Sequence, residues 1–381
     1  MPLAPGDVRT DLEALVAFDT VSHRSNEALA AWVAQRCEDL GFSIHPFVDP
    51  DHPHKRSLIC RVGPSDTDGI VLSGHMDVVP TEGQPWASDP FTLTERDGRL
   101  VGRGSADMKG FFAATLRALE QLDLRTLSRE IVLVWTHDEE VGCLGAGKLV
   151  DHLAAAGVRM PSACLIGEPT DFQILRMHPG HVVVELRITG TAAHSSRPDL
   201  GLNALEDAAR AVLAARRVAD QLQSERADLP GMERPWVAFN TASLQSGSAV
   251  NIVPDQAVVR FGYRPLPGMA PDEVHGRLVE AFEALQLRCA WEATIERVTP
   301  SMLTPDGTPL QGLLADHVRH HAVGACSFAT DGGQLERLGL QPLVFGPGSI
   351  EVAHKADEYV LEADLRHAVD VLADVVRRRC G

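Results

Sequence analysis

The sequence predicts an α/β protein: an α/β domain around a central sheet, carrying an inserted β-α-β-β-α-β (ferredoxin-like) domain. Three observations lead there. A chain of 381 residues is long for one compact domain. In its outer parts, short apolar β-branched runs that end in ionisable residues alternate with helical segments. From His181 the pattern turns to strict alternation, and the elements after it fall in the order β-α-β-β-α-β. The predicted division is 1–179 with 296–381 for the outer domain and 180–295 for the insert.

The first forty residues are predicted helical. Ser25 or Asn26 can cap a helix with the apolar face Leu29, Trp32, Val33, Cys37 and Leu40, and Gly41 stops it. Strands are expected over Ser57–Val62 and Gly69–Ser73. The second leads into His75-Met76-Asp77, where residues two apart share a face. The segment through Trp86, Asp89-Pro90 and Asp97-Gly98 is too long for a tight hairpin and is read as a site wall. Next comes Gly102-Arg103-Gly104-Ser105-Ala106-Asp107-Met108-Lys109-Gly110, then a helix over Phe111–Leu122. The apolar run Glu130–Thr136 ends in His137-Asp138-Glu139-Glu140, and Ala163–Gly167 ends in Glu168. Open α/β sheets place their sites at such strand ends.

In the insert, strands are expected at His181–Thr189, Val237–Gln245, Gln256–Tyr263 and Trp291–Val298, with helices near Asn203–Val218 and Pro271–Leu285. Beyond Pro300 a helix is expected at Leu310–His321 and a strand at Pro342–Phe345. A Gly-Pro-Gly-Ser loop then leads to His354, and the final helix spans Leu361–Arg378. Gly142–Lys148 mimics a phosphate-binding loop, but Leu149 stands where Ser or Thr is needed to hold magnesium, which argues against nucleotide binding.

Composition narrows the function. A net charge of −17 argues against a nucleic-acid partner. No apolar run is long enough for a membrane span, and the first residues lack the pattern of a secretory signal. Seven cysteines without a CxxC pair read as reduced thiols of a cytoplasmic protein.

Three strand tips, the glycine-rich loop and one late loop thus offer His75, Asp77, Asp107, Glu139, Glu140, Glu168 and His354. Imidazoles with carboxylates make a ligand set for zinc, cobalt or manganese. His75-Met76-Asp77, Gly104–Gly110, Asp138-Glu139-Glu140 and Gly167-Glu168-Pro169-Thr170, in this order, resemble the signatures of the co-catalytic zinc hydrolases. That family groups acetylornithine deacetylase, succinyl-diaminopimelate desuccinylase, aminoacylase and certain carboxypeptidases. The resemblance implies two divalent metal ions, zinc first among them, with a small N-acyl amino acid as substrate. It implies that His75 and Glu168 bind one ion, that Glu140 and His354 bind the other, and that Asp107 bridges them ahead of a cis peptide bond. Asp77 would orient His75, and Glu139 would be the general base.

The resemblance makes the insert a lid and dimerisation domain of a homodimer. His194 would reach into the partner's site to stabilise an oxyanion, Asn251 would contact substrate, and Arg264 would grip its carboxylate, with Arg260 as local competitor. The segments Gln84–Phe91, Gly346–Glu351 and Ala353–Tyr359 resemble the acetylornithine deacetylase branch. That branch implies hydrolysis of N2-acetyl-L-ornithine to L-ornithine and acetate, in arginine biosynthesis. His178-Pro179-Gly180-His181 departs from the Arg-Arg-Gly-Ser of desuccinylases. Deacylation of acetylcitrulline, succinyl-diaminopimelate or another acyl amino acid stays open, as does a non-catalytic metal-dependent binding protein. The presence of Glu139 favours an enzyme, and no Gly-x-Ser-x-Gly elbow supports a serine route.

Overall fold

A computed structural model describes residues 7–65 and 69–381. Contacts divide the chain into two compact units. The first comprises the chain up to Met177 with Thr304–Gly324 and Thr330–Gly381, and the second comprises His178–Leu303 with Ala325–Ala329.

The first unit is organised by Ile131–Thr136, a run of β-branched and aromatic residues buried along its whole length. Ile70–His75 lies parallel to it, with His75 level with Thr136. Ala163–Ile166 continues the parallel set beside Ile70–His75, and Gln341–Val344 follows beside Ala163–Ile166. Arg56–Val62 pairs antiparallel on the far side of Ile131–Thr136 and carries the edge strand Ser43–Val48. Parallel strands buried on both faces read as continuous apolar runs, which is why the sequence located them. They also deliver four carboxyl ends to one edge of the sheet.

Helix Lys109–Glu120 packs its apolar face on this sheet, with Phe112 stacked on Trp135 at 4.0 Å between ring centroids. The approach is close enough that a Cβ on Gly167 would lie 1.9 Å from the Phe111 ring. Only glycine fits at that strand end, and its absent side chain sets where Glu168 begins. The last helix, Glu362–Cys380, contributes buried Leu365, Val369 and Leu372 to the same core.

The segment read as a site wall contains a small hairpin. Thr94–Arg96 and Arg99–Val101 pair antiparallel around Asp97-Gly98, both at positive φ, and Tyr359–Leu361 adds a third strand. The predicted helix at Leu310–His321 is shorter: Pro309–Leu314 is helical, Ala315–His317 tightens to a 3₁₀ turn, and a strand begins at His320.

The second unit is a four-stranded antiparallel sheet in the order Ala238–Ser246, Gln256–Arg264, His181–Thr189, Ala290–Thr299. Its helices are Ala204–Ser224 and Glu273–Glu283, so the chain order is the predicted β-α-β-β-α-β. Alternation decides the faces: Ala257, Val259, Phe261 and Tyr263 are buried while the residues between them are not. Asn203 caps the long helix by accepting from the N–H groups of Leu205 and Glu206. The predicted end of the insert at 295 falls inside the last strand. Ala290–Thr299 stays paired with His181–Thr189 as far as Thr299 opposite His181, so the ladder carries the unit past that point.

All seven cysteines are buried and outside any disulfide. No helix among the described residues is long and apolar enough to cross a membrane.

Candidate metal centre

The carboxyl ends of the parallel strands bring their polar residues together. Strand Ile70–His75 ends on His75, and its ring Nε2 lies 3.0 Å from Asp107 Oδ1 and 3.7 Å from Glu168 Oε1. Glu168 follows the third parallel strand, and Asp107 precedes helix Lys109–Glu120 across a cis Asp107–Met108 bond. The other oxygen of Asp107, Oδ2, lies 3.2 Å from His354 Nε2, which is 2.9 Å from Glu140 Oε2. Two trios therefore share Asp107: His75, Asp107 and Glu168 on one side, and Asp107, Glu140 and His354 on the other. The candidate ligand atoms of each trio lie within 4.8 Å of one another.

The four-residue run after strand Ile131–Thr136 splits into two roles. His137 turns inward, its Nδ1 2.8 Å from Ser57 Oγ and its Nε2 3.3 Å from Asp49. Asp138, at φ 54°, reverses the chain and takes a 2.6 Å contact from Lys55 Nζ. These buried partners anchor the turn and leave Glu139 and Glu140 facing the cluster. Asp77 completes the anchor. Its carboxylate accepts the N–H groups of Glu139 (3.1 Å) and Glu140 (3.2 Å) and the Ser22 hydroxyl (2.7 Å).

This corrects how Asp77 reaches His75. The His75 Nδ1 lies 3.0 Å from the Asp77 carbonyl oxygen but 3.7 Å from its carboxylate, which the two backbone amides occupy. The ring is thus held by backbone, a common way to set the tautomer that frees the other nitrogen for a metal.

Charge shows why this cluster suits cations. Asp107, Glu139, Glu140 and Glu168 converge, and their only charged partners among the described residues are the two imidazoles. Burial, with Asp107 close by, pushes Glu168 well above the usual carboxylate range. Burial and the same neighbour raise Glu140 to about 7. Burial also raises Glu139 strongly, against the pull of His75. His354 is pushed up to about 10 by its bonds to Asp107 and Glu140. Burial works to raise Asp107, but bonds to His354 and His75 prevail and hold it low. Crowded carboxylates in a water-poor site are costly unless cations neutralise them, and two divalent ions held by N and O donors meet that need.

Sequence reading missed Cys143 and Asp331. The Cys143 thiol donates to Glu139 Oε1 at 3.4 Å, and Asp331 accepts from Thr136 Oγ1 at 2.6 Å. With Glu139 they form a further group of close potential ligand atoms. A Gly-Cys pair at positive φ before a helix was the available signal for the first. Nothing local marks Asp331.

His194, Asn251 and Arg264 lie in the second unit. His194 is exposed, with Nδ1 2.7 Å from Ser196 Oγ, and its strand bridge to Ile252 sets it next to Asn251, whose carbonyl accepts from Ser195 N–H at 3.0 Å. Arg264 shares a strand face with Arg260. Arg260 is engaged by Glu185 at 2.5 Å and Glu296 at 3.1 Å, whereas no carboxylate among the described residues pairs with Arg264. Opposite Arg264 on the neighbouring strand, counting on from the paired Tyr263 and Val182, stands His181. The phosphate-loop mimic is resolved as structure: Lys148 pairs with Asp49 and Asp51, each at 2.8 Å.

The family model described as peptidase family M20/M25/M40 matches residues 71–378. Acetylornithine deacetylase of Klebsiella pneumoniae (strain 342) is 33% identical over 377 residues, covering 96% of both chains. The enzyme of the same name from Proteus mirabilis is 32% identical, covering 96% of this chain and 93% of that protein. Among solved structures, a tripeptidase from Staphylococcus aureus has a TM-score of 0.76 at 18% identity, covering 99% of each chain. A dinuclear metal-binding peptidase from Bacillus subtilis has a TM-score of 0.69 at 16% identity, covering 97% of this chain and 96% of that one.

Proposed function

Because the chain belongs to peptidase family M20/M25/M40 and is a metal-dependent hydrolase, we propose that it deacylates an N-acyl amino acid, N2-acetyl-L-ornithine first, at a pair of divalent cations. One observation carries the two-ion reading: each oxygen of Asp107 faces a different His-carboxylate pair. The residues fit zinc, and cobalt or manganese would also be accepted. The substrate reading is supported by the two acetylornithine deacetylases at 33% and 32% identity. On this reading the work belongs to the cytoplasm and to arginine biosynthesis.

His75 and Glu168 would hold one cation, Glu140 and His354 the other, and Asp107 would serve both. When bound, such ions would supply Lewis-acid polarisation of the scissile carbonyl and would lower the pKa of a water towards neutrality. Glu139 takes that water's proton on its carboxylate as the water attacks. It then gives the proton to the leaving nitrogen, so amide and water become a carboxylic acid and an amine, and the acid's remaining proton passes to the amine to leave acetate and ammonium. Asp77 keeps Glu139 in place through its amide N–H. Arg264, with no carboxylate partner among the described residues, takes the substrate's α-carboxylate in its bidentate fork. His194, from the second copy of a homodimer, donates to the developing oxyanion, and Asn251 beside it contacts substrate.

The direct test is turnover on N-acetylornithine, N-acetylcitrulline, succinyl-diaminopimelate, N-acetylmethionine and a dipeptide, each with and without chelator. Acetylornithine is expected to lead, with all turnover lost to chelator. Turnover led by another substrate would discard ornithine and keep the centre, and chelator-resistant turnover would remove the metal reading. Arg264→Lys is expected to lower kcat/KM about 10- to 100-fold on substrates with a free carboxylate, the loss of one bidentate charged contact. Equal losses on the matching carboxamides would remove Arg264 as the clamp.

A further inference from the structure

The cation ligands sit on loops far apart in the chain, and loops alone hold geometry poorly. One buried network ties two of them together. Glu358 is 1% exposed, and its Oε1 accepts the backbone N–H groups of Asp107 (3.0 Å) and Ala106 (3.1 Å). Its Oε2 accepts from Arg103 Nη1 at 2.6 Å, and Arg103 is likewise 1% exposed. The Arg103 guanidinium, 5.0 Å from the centre of the Trp86 ring, also donates to the Lys355 carbonyl at 3.3 Å and to Gln84 Oε1 at 2.5 Å. Gln84 closes the circuit: its Nε2 donates to the carbonyl of His354 at 2.9 Å.

We propose that Glu358, Arg103 and Gln84 form one positioning clamp that sets Asp107 and His354 against each other, so that the second cation is bound only as tightly as this clamp is intact. The proposal rests on the two-cation reading above. A carboxylate with one oxygen on two backbone amides and the other on a guanidinium is fully committed, so it fixes the loop that presents Asp107. An arginine with a planar fork can span Glu358 and Gln84 at once, which a lysine cannot. None of the three side chains belongs to a cation trio, so their effect is on the orientation of ligands.

The clamp has two branches, and they separate in a binding experiment. Gln84 bonds directly to the His354 carbonyl but reaches Asp107 only through Arg103 and Glu358, so Gln84→Ala is expected to weaken one cation about 10- to 100-fold and leave the other nearly unchanged. Glu358→Gln acts at the shared Asp107 and is expected to weaken both. Arg103→Lys, which keeps the buried charge, should resemble Gln84→Ala. Cation content after dialysis, with chelator-competition titration of zinc and cobalt, reads this without turnover. Gln84 is only half-buried, so its variant should fold even if Glu358→Gln does not. A Gln84→Ala protein with both Kd values unchanged, or both weakened alike, overturns the clamp. Wild-type protein that takes up fewer than two cations overturns the two-cation reading and the clamp with it.

Discussion

Glu139→Gln is expected to fill both cation sites and to lose about two to four orders of magnitude in kcat, the usual worth of a positioned proton carrier. The amide matches the carboxylate in size and keeps the main-chain contact to Asp77, so geometry is preserved. What it lacks is a basic oxygen. Glu139 is also the one acid of the cluster with no imidazole partner among the described residues, so its removal breaks neither trio. Metal analysis beside steady-state kinetics decides the matter. Turnover within tenfold of wild type would remove Glu139 as the base, and loss of metal would make it a ligand. The variant also tests the cross-subunit role of His194. In an exchanging mixture with His194→Ala, one site per mixed dimer would be whole, so about a quarter of wild-type activity should return by statistical pairing. No recovery would place His194 outside its neighbour's site.

Asp107→Ala carries the second large effect. Both trios pass through this residue, so its loss is expected to drop cation content below one per chain and turnover to background. Glu168→Ala and His354→Ala should each cost one cation. The stripped Asp107→Ala protein is expected to melt below stripped wild type, because both imidazoles lose the carboxylate they are bonded to. A variant that keeps two cations would refute the shared-ligand geometry.

How far the sequence reached follows from where the signals lie. The parallel strands were legible because burial on both faces leaves unbroken apolar runs, and their polar ends announced His75, Glu139, Glu140 and Glu168. The insert was legible through alternation. Edge strand Ser43–Val48 was not: it is largely exposed and holds Pro46 at its centre. The hairpin at Asp97-Gly98 carried a turn signal that the length of the surrounding segment obscured. Residues whose partners are remote, such as Asp331 beside Thr136 or Glu358 beneath Asp107, leave no local trace. Asp77, drawn to the site by its spacing, makes its contacts with His75 and Glu139 through main-chain groups that spacing does not reveal.

The order in which the ligands occur has a consequence for how the protein is made. His75, Asp107, Glu140 and Glu168 all precede the second unit in the chain, while His354 and the helix that backs the Phe111 core follow it. The carbonyl of Cys380 accepts from Ser128 N–H at 2.7 Å, so helix Glu362–Cys380 also fastens the first unit. A ribosome delivers the chain from the N-terminus at about 5–20 residues per second. During translation the second unit can fold as it emerges, whereas the first waits as an unfinished sheet with its acids exposed. A nascent chain that stalls before helix Glu362–Cys380 would therefore display a folded insert and an incomplete first unit.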